Sequence, residues 1–369
     1  MLLEQTTSHT VKELPPLKST DSADAKVTWT LVLLVLLLIA TMLLSMGIGA
    51  VPIGVSEIGS LILHSLGWTS ATEVTEAKAM VFWVIRLPRV VLAVLVGAGL
   101  GIAGAALQGL FRNPVADAGL IGVTSGASLF AILIMMLNAQ YWSMINEYGG
   151  AYVLSLGAFV GAALTTFLVY QLSKLAGDGS AAMILLIGIA INALVGSITG
   201  LMTYLANEQQ LRSMTFWSLG SLGGANWTSV IAIAPFVLAS TVGLPMLGKS
   251  LNLLVLGESQ AKALGVNIIG LRRMVIVLAT LGVGASVAVA GSIGFVGLVV
   301  PHIIRNIIGP DHRNLLIGSA LGGALVLAIA DTISRTIVAP AELPIGIVTA
   351  LLGSPFFMYI LWKQKTKRI

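Results

Sequence analysis

Residues 86–128 read RLPRVVLAVLVGAGLGIAGAALQGLFRNPVADAGLIGVTSGAS. Arg86, Pro88 and Arg89 stand at the head of an apolar run and are expected to open a helix over 88–110. The polar segment 112–119, RNPVADAG, breaks that run, and apolar sequence resumes over 118–138. Each run has the ~20 residues needed to cross a hydrocarbon core. The pattern therefore reads as two membrane spans joined by a short hairpin.

The rest of the chain repeats this theme. Apolar residues make up 57% of the sequence and charged ones 9%, against roughly 45–50% and 25% in soluble domains. Ten spans are expected, over 27–50, 88–110, 118–138, 150–173, 181–206, 228–248, 272–290, 293–308, 314–334 and 344–362. Residues 1–26 form a polar tail with Lys12, Glu13, Asp21, Asp24 and Lys26, and 363–369 a basic one. No small-residue cleavage site follows the first apolar run, which is too long for a signal-peptide core, so it is expected to remain as a helix. Cysteine is absent, which excludes disulfides and thiolate metal sites.

Lysine and arginine fix the orientation. With both ends of 27–362 on the cytoplasmic side, five of the 20 basic residues fall outside: Lys78, Arg86, Arg89, Arg212 and Arg335. The net charge of +5 thus reflects positive-inside bias. It does not mark a nucleic-acid surface, because the basic residues are scattered without interleaved aromatics. In the outer loop 51–85, Val55, Ile58, Leu61, Ile62 and Leu66 fall at helical spacing and predict an amphipathic surface helix. The segments GLIG at 119–122 and GFVG at 294–297 sit in halves of opposite orientation, as in an inverted repeat.

Two familiar motifs are set aside. Residues 243–250, GLPMLGKS, match a phosphate loop, but an apolar span precedes them and Pro245 removes a needed amide. Residues 99–104, GLGIAG, match a dinucleotide fingerprint inside a charge-free span. There Gly97, Gly101 and Ala105 form a small-residue stripe suited to close helix packing. No paired carboxylates or nucleophile–base pair is placed for chemistry, so the chain is not expected to be an enzyme.

Seven stretches lack charge: 90–111, 118–146, 179–207, 213–248, 274–304, 314–330 and 343–362. Ion-coupled transporters keep ionisable groups within their spans, so the energy for transport is expected to arrive from outside, through a loop. That loop is 251–273, LNLLVLGESQAKALGVNIIGLRR. Glu258 lies where a short helix would start and Gly265 where it would end. Leu256, Ala261 and Leu264 would give it a small apolar face. An ion-coupled secondary transporter and a membrane scaffold without a pore remain the competing classes. For Arg86, Arg89 and Arg335, snorkelling and an Asp331–Arg335 pair at i,i+4 are sufficient on pattern alone, and Glu342 between Pro340 and Pro344 reads as a loop anchor.

The block 86–128, together with GSIGFVGLVVPHIIR at 291–305 and DTISRTIVAPAELPIGIVTALLGSPFF at 331–357, resembles the permease subunits of the ABC importers for cobalamin, ferric siderophores and haem. The resemblance runs from about residue 30 to 362 and leans towards the haem permeases. It implies an all-α polytopic membrane protein of the type II importer class, working as a homodimer in a bacterial inner membrane. It further implies two ATP-binding subunits, which hold ATP and magnesium, and one periplasmic binding protein; no cofactor or metal is expected on this chain. By the same resemblance, Gly257, Glu258, Ala261, Leu264 and Gly265 form the coupling helix that meets the ATPase. Arg86, Arg89 and Arg335 receive acidic residues of the binding protein. The turn 176–183, with Gly179, Ser180 and Ala181, is the cytoplasmic gate, and relatives can carry more hydroxyl residues there. Asn192, Ser197 and Met202 on the fifth span would line the path. They are a mild set that would release cargo rather than hold it.

Overall fold

The computed structural model describes residues 20–49, 51–68, 74–141, 150–177 and 179–366. Among them every regular element is helical. They are α1 (Thr20–Gly47), α2 (Val55–Ser65), α3 (Glu76–Met80), α4 (Leu87–Phe111), α5 (Val123–Tyr141), α6 (Gly150–Leu175), α7 (Ala181–Leu205) and α8 (Glu208–Leu219). There follow α9 (Trp227–Met246), α10 (Gly248–Val255), α11 (Glu258–Ala263), α12 (Ile268–Ala290), α13 (Val296–Ile308), α14 (His312–Thr336) and α15 (Ile345–Thr366). Seven of the helical segments are long and apolar enough to cross a bilayer, and α5, α13 and α15 supply shorter apolar helices. Together they match the ten expected spans.

The head of the 86–128 block differs from expectation. Helix does not begin at Arg86 but runs from Glu76 to Phe111, with a π-helical stretch over Val81–Arg86 joining α3 to α4. Pro88 has no N–H to donate and crowds the preceding turn. A locally widened ladder absorbs that defect without ending the helix. Phe82, fully buried and edge-on to Trp83 at 4.9 Å, holds the stretch in a small outer cluster with Met46, Ile53, Ile58 and Leu61. The surface helix α2 docks on that cluster through Ile58 and Leu61, while Val55 and Leu66 stay exposed.

α4 is the centre of the bundle. In its apolar window 78% of the residues are buried, against 6% in α1 and 17% in α7. α14, α12, α9 and α13 surround it, α5 and α6 pair beside it, and α1 rests on α14. Lipid tails offer no hydrophobic drive between helices, so close backbone packing has to supply the attachment. A Cβ added at Gly97 would land on the Gly323 carbonyl, and one at Gly101 on the Ser319 carbonyl. The 99–104 stretch is thus a packing seam. The 243–250 stretch closes α9 and opens α10, with helix on both sides.

The two repeat segments share a local device. Gly122 has φ +88° directly before α5, and Phe295 has φ +67° directly before α13. Each chain reversal thus turns through a left-handed residue into a helix. The loop after α7 holds one element the pattern did not suggest. It is α8, started by an Asn207–Gln210 capping box, in which each side chain bonds the other's backbone N–H.

Candidate functional site

Most of the candidate side chains gather at the two ends of the bundle. At the first, α10 leads through Gly257 into α11, and Gly265 (φ +87°) ends that short helix before Asn267 caps α12. The left-handed backbone at Gly257 and Gly265 is strained for any residue with a Cβ. Glu258 sits in the first turn of α11, and its Oε1 accepts a hydrogen bond from Arg272 Nη2 at 2.9 Å. Leu256, Ala261 and Leu264 do not share one face, a correction to the expectation. Ala261 is wholly buried against the bundle, whereas Leu256 and Leu264 are exposed. Of the three, only the two leucines face outward, alongside the exposed Val255 and Ile269.

Arg272 reaches further. Its Nη1 donates to the backbone carbonyl of Gly179, in the turn between α6 and α7. One buried guanidinium therefore ties the start of α11 to that turn, Arg272 lying 93 residues from Gly179 and 14 from Glu258. Ser180 caps α7, its Oγ accepting from the Met183 N–H at 3.3 Å. Ala181 begins the helix and is buried. Asp178 lies outside the described residues. The 179–181 turn and the 258 loop, read separately from the sequence, are brought together. Arg272, the residue joining them, stands at the foot of a span among scattered basic residues, and no local pattern distinguishes it from them.

Along α7, Asn192 is held by its neighbour: its Oδ1 accepts from Ser125 Oγ at 2.5 Å and its Nδ2 donates to the Gly119 carbonyl at 2.8 Å. It fastens α7 to the start of α5. Ser197 is exposed, with its hydroxyl donating to the Ala193 carbonyl at 2.9 Å, and Met202 is half-buried. Gly196 and Gly200, one turn apart, have open space above them.

The other end holds the three arginines, and none projects freely. Arg89 forks onto Asp331, with Nε and Nη2 donating to Oδ1 at 3.0 and 2.9 Å, while its Nη1 donates to Glu342 Oε1 at 2.7 Å. Arg86 donates to the Met46 and Gly47 carbonyls at 2.6 and 3.0 Å and to that of Val51. Arg335 donates to Ile48 at 2.6 Å and to the Ser45 carbonyl, with Asp331 3.7 Å from its Nε. The last turn of α1 leaves carbonyls without intrahelical partners, and two guanidiniums serve them. The side chains of Arg89 and Arg335 are only 9% exposed, whereas that of Glu342 is 41% exposed. The sequence showed the Asp331–Arg335 spacing and an anchoring role for Glu342. It could not show that both carboxylates converge on Arg89.

Outside the spans, two carboxyls in the connecting turns are shifted in opposite directions. Burial pushes Asp117 up, against backbone N–H bonds from Leu120 and Gly119 that pull it down. Burial also raises Asp311, but the Asn252 amide, the Arg313 N–H and neighbouring positive charge outweigh it and hold the carboxyl below its usual range.

This architecture has solved and curated counterparts. The hemin transport system permease protein HmuU of Yersinia pestis is 43% identical over 317 residues, covering 86% of this chain and 93% of that protein. The cobalamin import system permease protein BtuC of Halobacterium salinarum is 36% identical over 334 residues, 87% of each. A structure described as a metal-chelate type ABC transporter in an inward-facing conformation superposes with a TM-score of 0.78 at 34% identity, covering 90% of this chain and 98% of that one. The family model of the FecCD transport family matches residues 36–363. With that match over most of the chain, and relatives well above 30% identity across it, the chain belongs to the FecCD transport family and is an ABC-transporter permease.

Proposed function

We propose that the chain is the membrane subunit of a type II importer that moves haem from the periplasm to the cytoplasm, driven by ATP hydrolysis on a separate subunit. The observation that carries the mechanical part is the Arg272 tie between α11 and the 179–181 turn. A push on α11 reaches that turn through one rigid guanidinium, so the Gly257–Gly265 loop serves as the coupling element and Gly179, Ser180 and Ala181 as the gate. ATP and magnesium belong to the ATP-binding partner, of which two copies serve two copies of this chain. The uncovered face of α7, with space above Gly196 and Gly200, suits close approach of a second copy. Ser197 and Met202 then border the path between copies, and Asn192 holds the wall.

One periplasmic binding protein docks over the mouth that carries Arg86, Arg89 and Arg335. Those arginines hold the α1–α2 connection and the 331–342 segment in the shape that the partner meets. The membrane is the inner membrane of a bacterium, with both termini cytoplasmic. Haem is favoured because the hemin permease is the more similar of the two relatives above; a ferric siderophore and cobalamin are the alternatives. The test is ATPase activity of the reconstituted assembly, titrated with binding protein loaded with haem, a ferric siderophore or cobalamin. Stimulation by the haem-loaded form alone is expected. Stimulation by another cargo instead would reassign the substrate, and concentration of cargo by this chain without its partners would overturn the reading.

A further inference from the structure

A cleft of about 580 Å³ lies between α6 and α12 on the outside of the bundle. The two helices touch where a Cβ added at Gly284 would stand 3.3 Å from that of Ala162, and the cleft lies from there towards the end that carries the coupling loop. The walls are apolar, with Leu164 and Phe167 on α6 and Val277 and Leu281 on α12. The mouth is not. Lys174 and Arg273 both line it, both are exposed, and neither pairs with a carboxylate among the described residues. Lys174 Nζ is held 4.5 Å over the Tyr170 ring. Inside, Thr166 and Thr280 are at least nine-tenths buried and their hydroxyls have no hydrogen-bond partner.

We propose that this cleft binds one anionic phospholipid, its phosphate between Lys174 and Arg273 and an acyl chain along the α6–α12 walls. The dimensions support one leaflet's lipid. From Lys174 to Ala163 the cleft follows α6 for eleven residues, about 16 Å at the helical rise, and half a hydrocarbon core is ~15 Å. Both walls are membrane spans, so a soluble partner does not reach them. Basic pockets between spans recognise lipid phosphates through this same charge pair, a flat guanidinium fork beside a compact ammonium. The site is independent of the transported cargo.

The test uses the purified full-length chain in detergent, with native mass spectrometry and thermal unfolding after adding dioleoyl phosphatidylglycerol, dioleoyl phosphatidylcholine or glycerol 1-phosphate. One bound phosphatidylglycerol is expected, with protection that neither other probe gives. Lys174→Gln with Arg273→Gln should weaken retention roughly thirtyfold, from two basic contacts. Val277→Trp, which fills the cleft from a half-exposed position, should also displace the lipid. Lys249→Gln with Arg313→Gln, exposed basic residues outside the cleft, should change nothing. Equal retention by the Lys174/Arg273 double variant would overturn the site. So would equal binding of phosphatidylcholine, equal protection by glycerol 1-phosphate, or a lipid-free dimer lost in the Val277→Trp variant.

Discussion

Replacing Arg272 with methionine keeps its apolar stem and deletes its two hydrogen-bonded limbs. The Glu258 limb is the smaller. That carboxylate is 37% exposed, so water rehydrates it and the pair is worth at most about 1 kcal/mol. The Gly179 carbonyl is different, because Gly179 itself and its bond to Arg272 are buried, and a buried acceptor stripped of its donor costs about 1–3 kcal/mol. Relief from burying the guanidinium offsets part of the sum. A net of about 2 kcal/mol remains, roughly thirtyfold in the ratio of tied to released turn. The chain has no cysteine, so spin labels at Ala182→Cys and Lys262→Cys, both exposed sites, report only on the turn and α11. Pulsed dipolar spectroscopy in lipid nanodiscs should give one narrow distance in the parent protein and a second population with Arg272→Met. Glu258→Gln should broaden the distribution far less. An unchanged distribution in Arg272→Met, or an equal effect from Glu258→Gln, would refute the tie and remove the mechanical support for coupling through α11.

Three further outcomes are expected. Gly101→Ala drives a methyl into the Ser319 carbonyl and should cost about 2–3 kcal/mol in thermal or denaturant unfolding; a silent substitution would mean that α4 and α14 are not in backbone contact. Arg89→Met strands the buried Asp331 carboxylate and should cost about 3–5 kcal/mol. Adding Asp331→Asn should recover much of that loss, and no recovery would mean that the charge itself is not the cause. Asp311, held below its usual range, binds protons less readily folded than unfolded. Its contribution is therefore present above about pH 5 and fades as the pH falls through the folded value. Unfolding of Asp311→Asn should be less acid-sensitive than that of the parent below that pH, and equal slopes would show that Asp311 contributes nothing.

Local pattern carried the spans because each is written in one continuous run of apolar residues. Ends defined by local chemistry also came through: Glu258 and Gly265 do bracket a short helix, whereas the cap that Ser180 places on α7 was not read from the sequence. The small-residue stripe at Gly97 and Gly101 announced a close contact but not its partner, since Ser319 and Gly323 lie more than two hundred residues away. What escaped is what depends on tertiary convergence. Arg86 and Arg89 looked like a helix entrance because a proline between them normally marks one; the π-helical stretch that carries helix past Pro88 has no sequence signature of its own. The partners of Arg89 and Arg272 come from elements that meet only when the bundle closes. An arginine at a span's end looks identical whether it reaches for water, for a lipid or for a carbonyl of its own chain.

The seam between α4 and α14 constrains how such a bundle changes shape. With Gly97 and Gly101 set against the peptide groups of Ser319 and Gly323, neither helix can slide by part of a turn without one backbone colliding with the other. The pair acts as a single thick strut, stiff along its length. Displacement must then fall to the lightly buried perimeter, to which α7 belongs. A fluorophore on α7 would register each cycle, whereas one on the strut would stay dark to it.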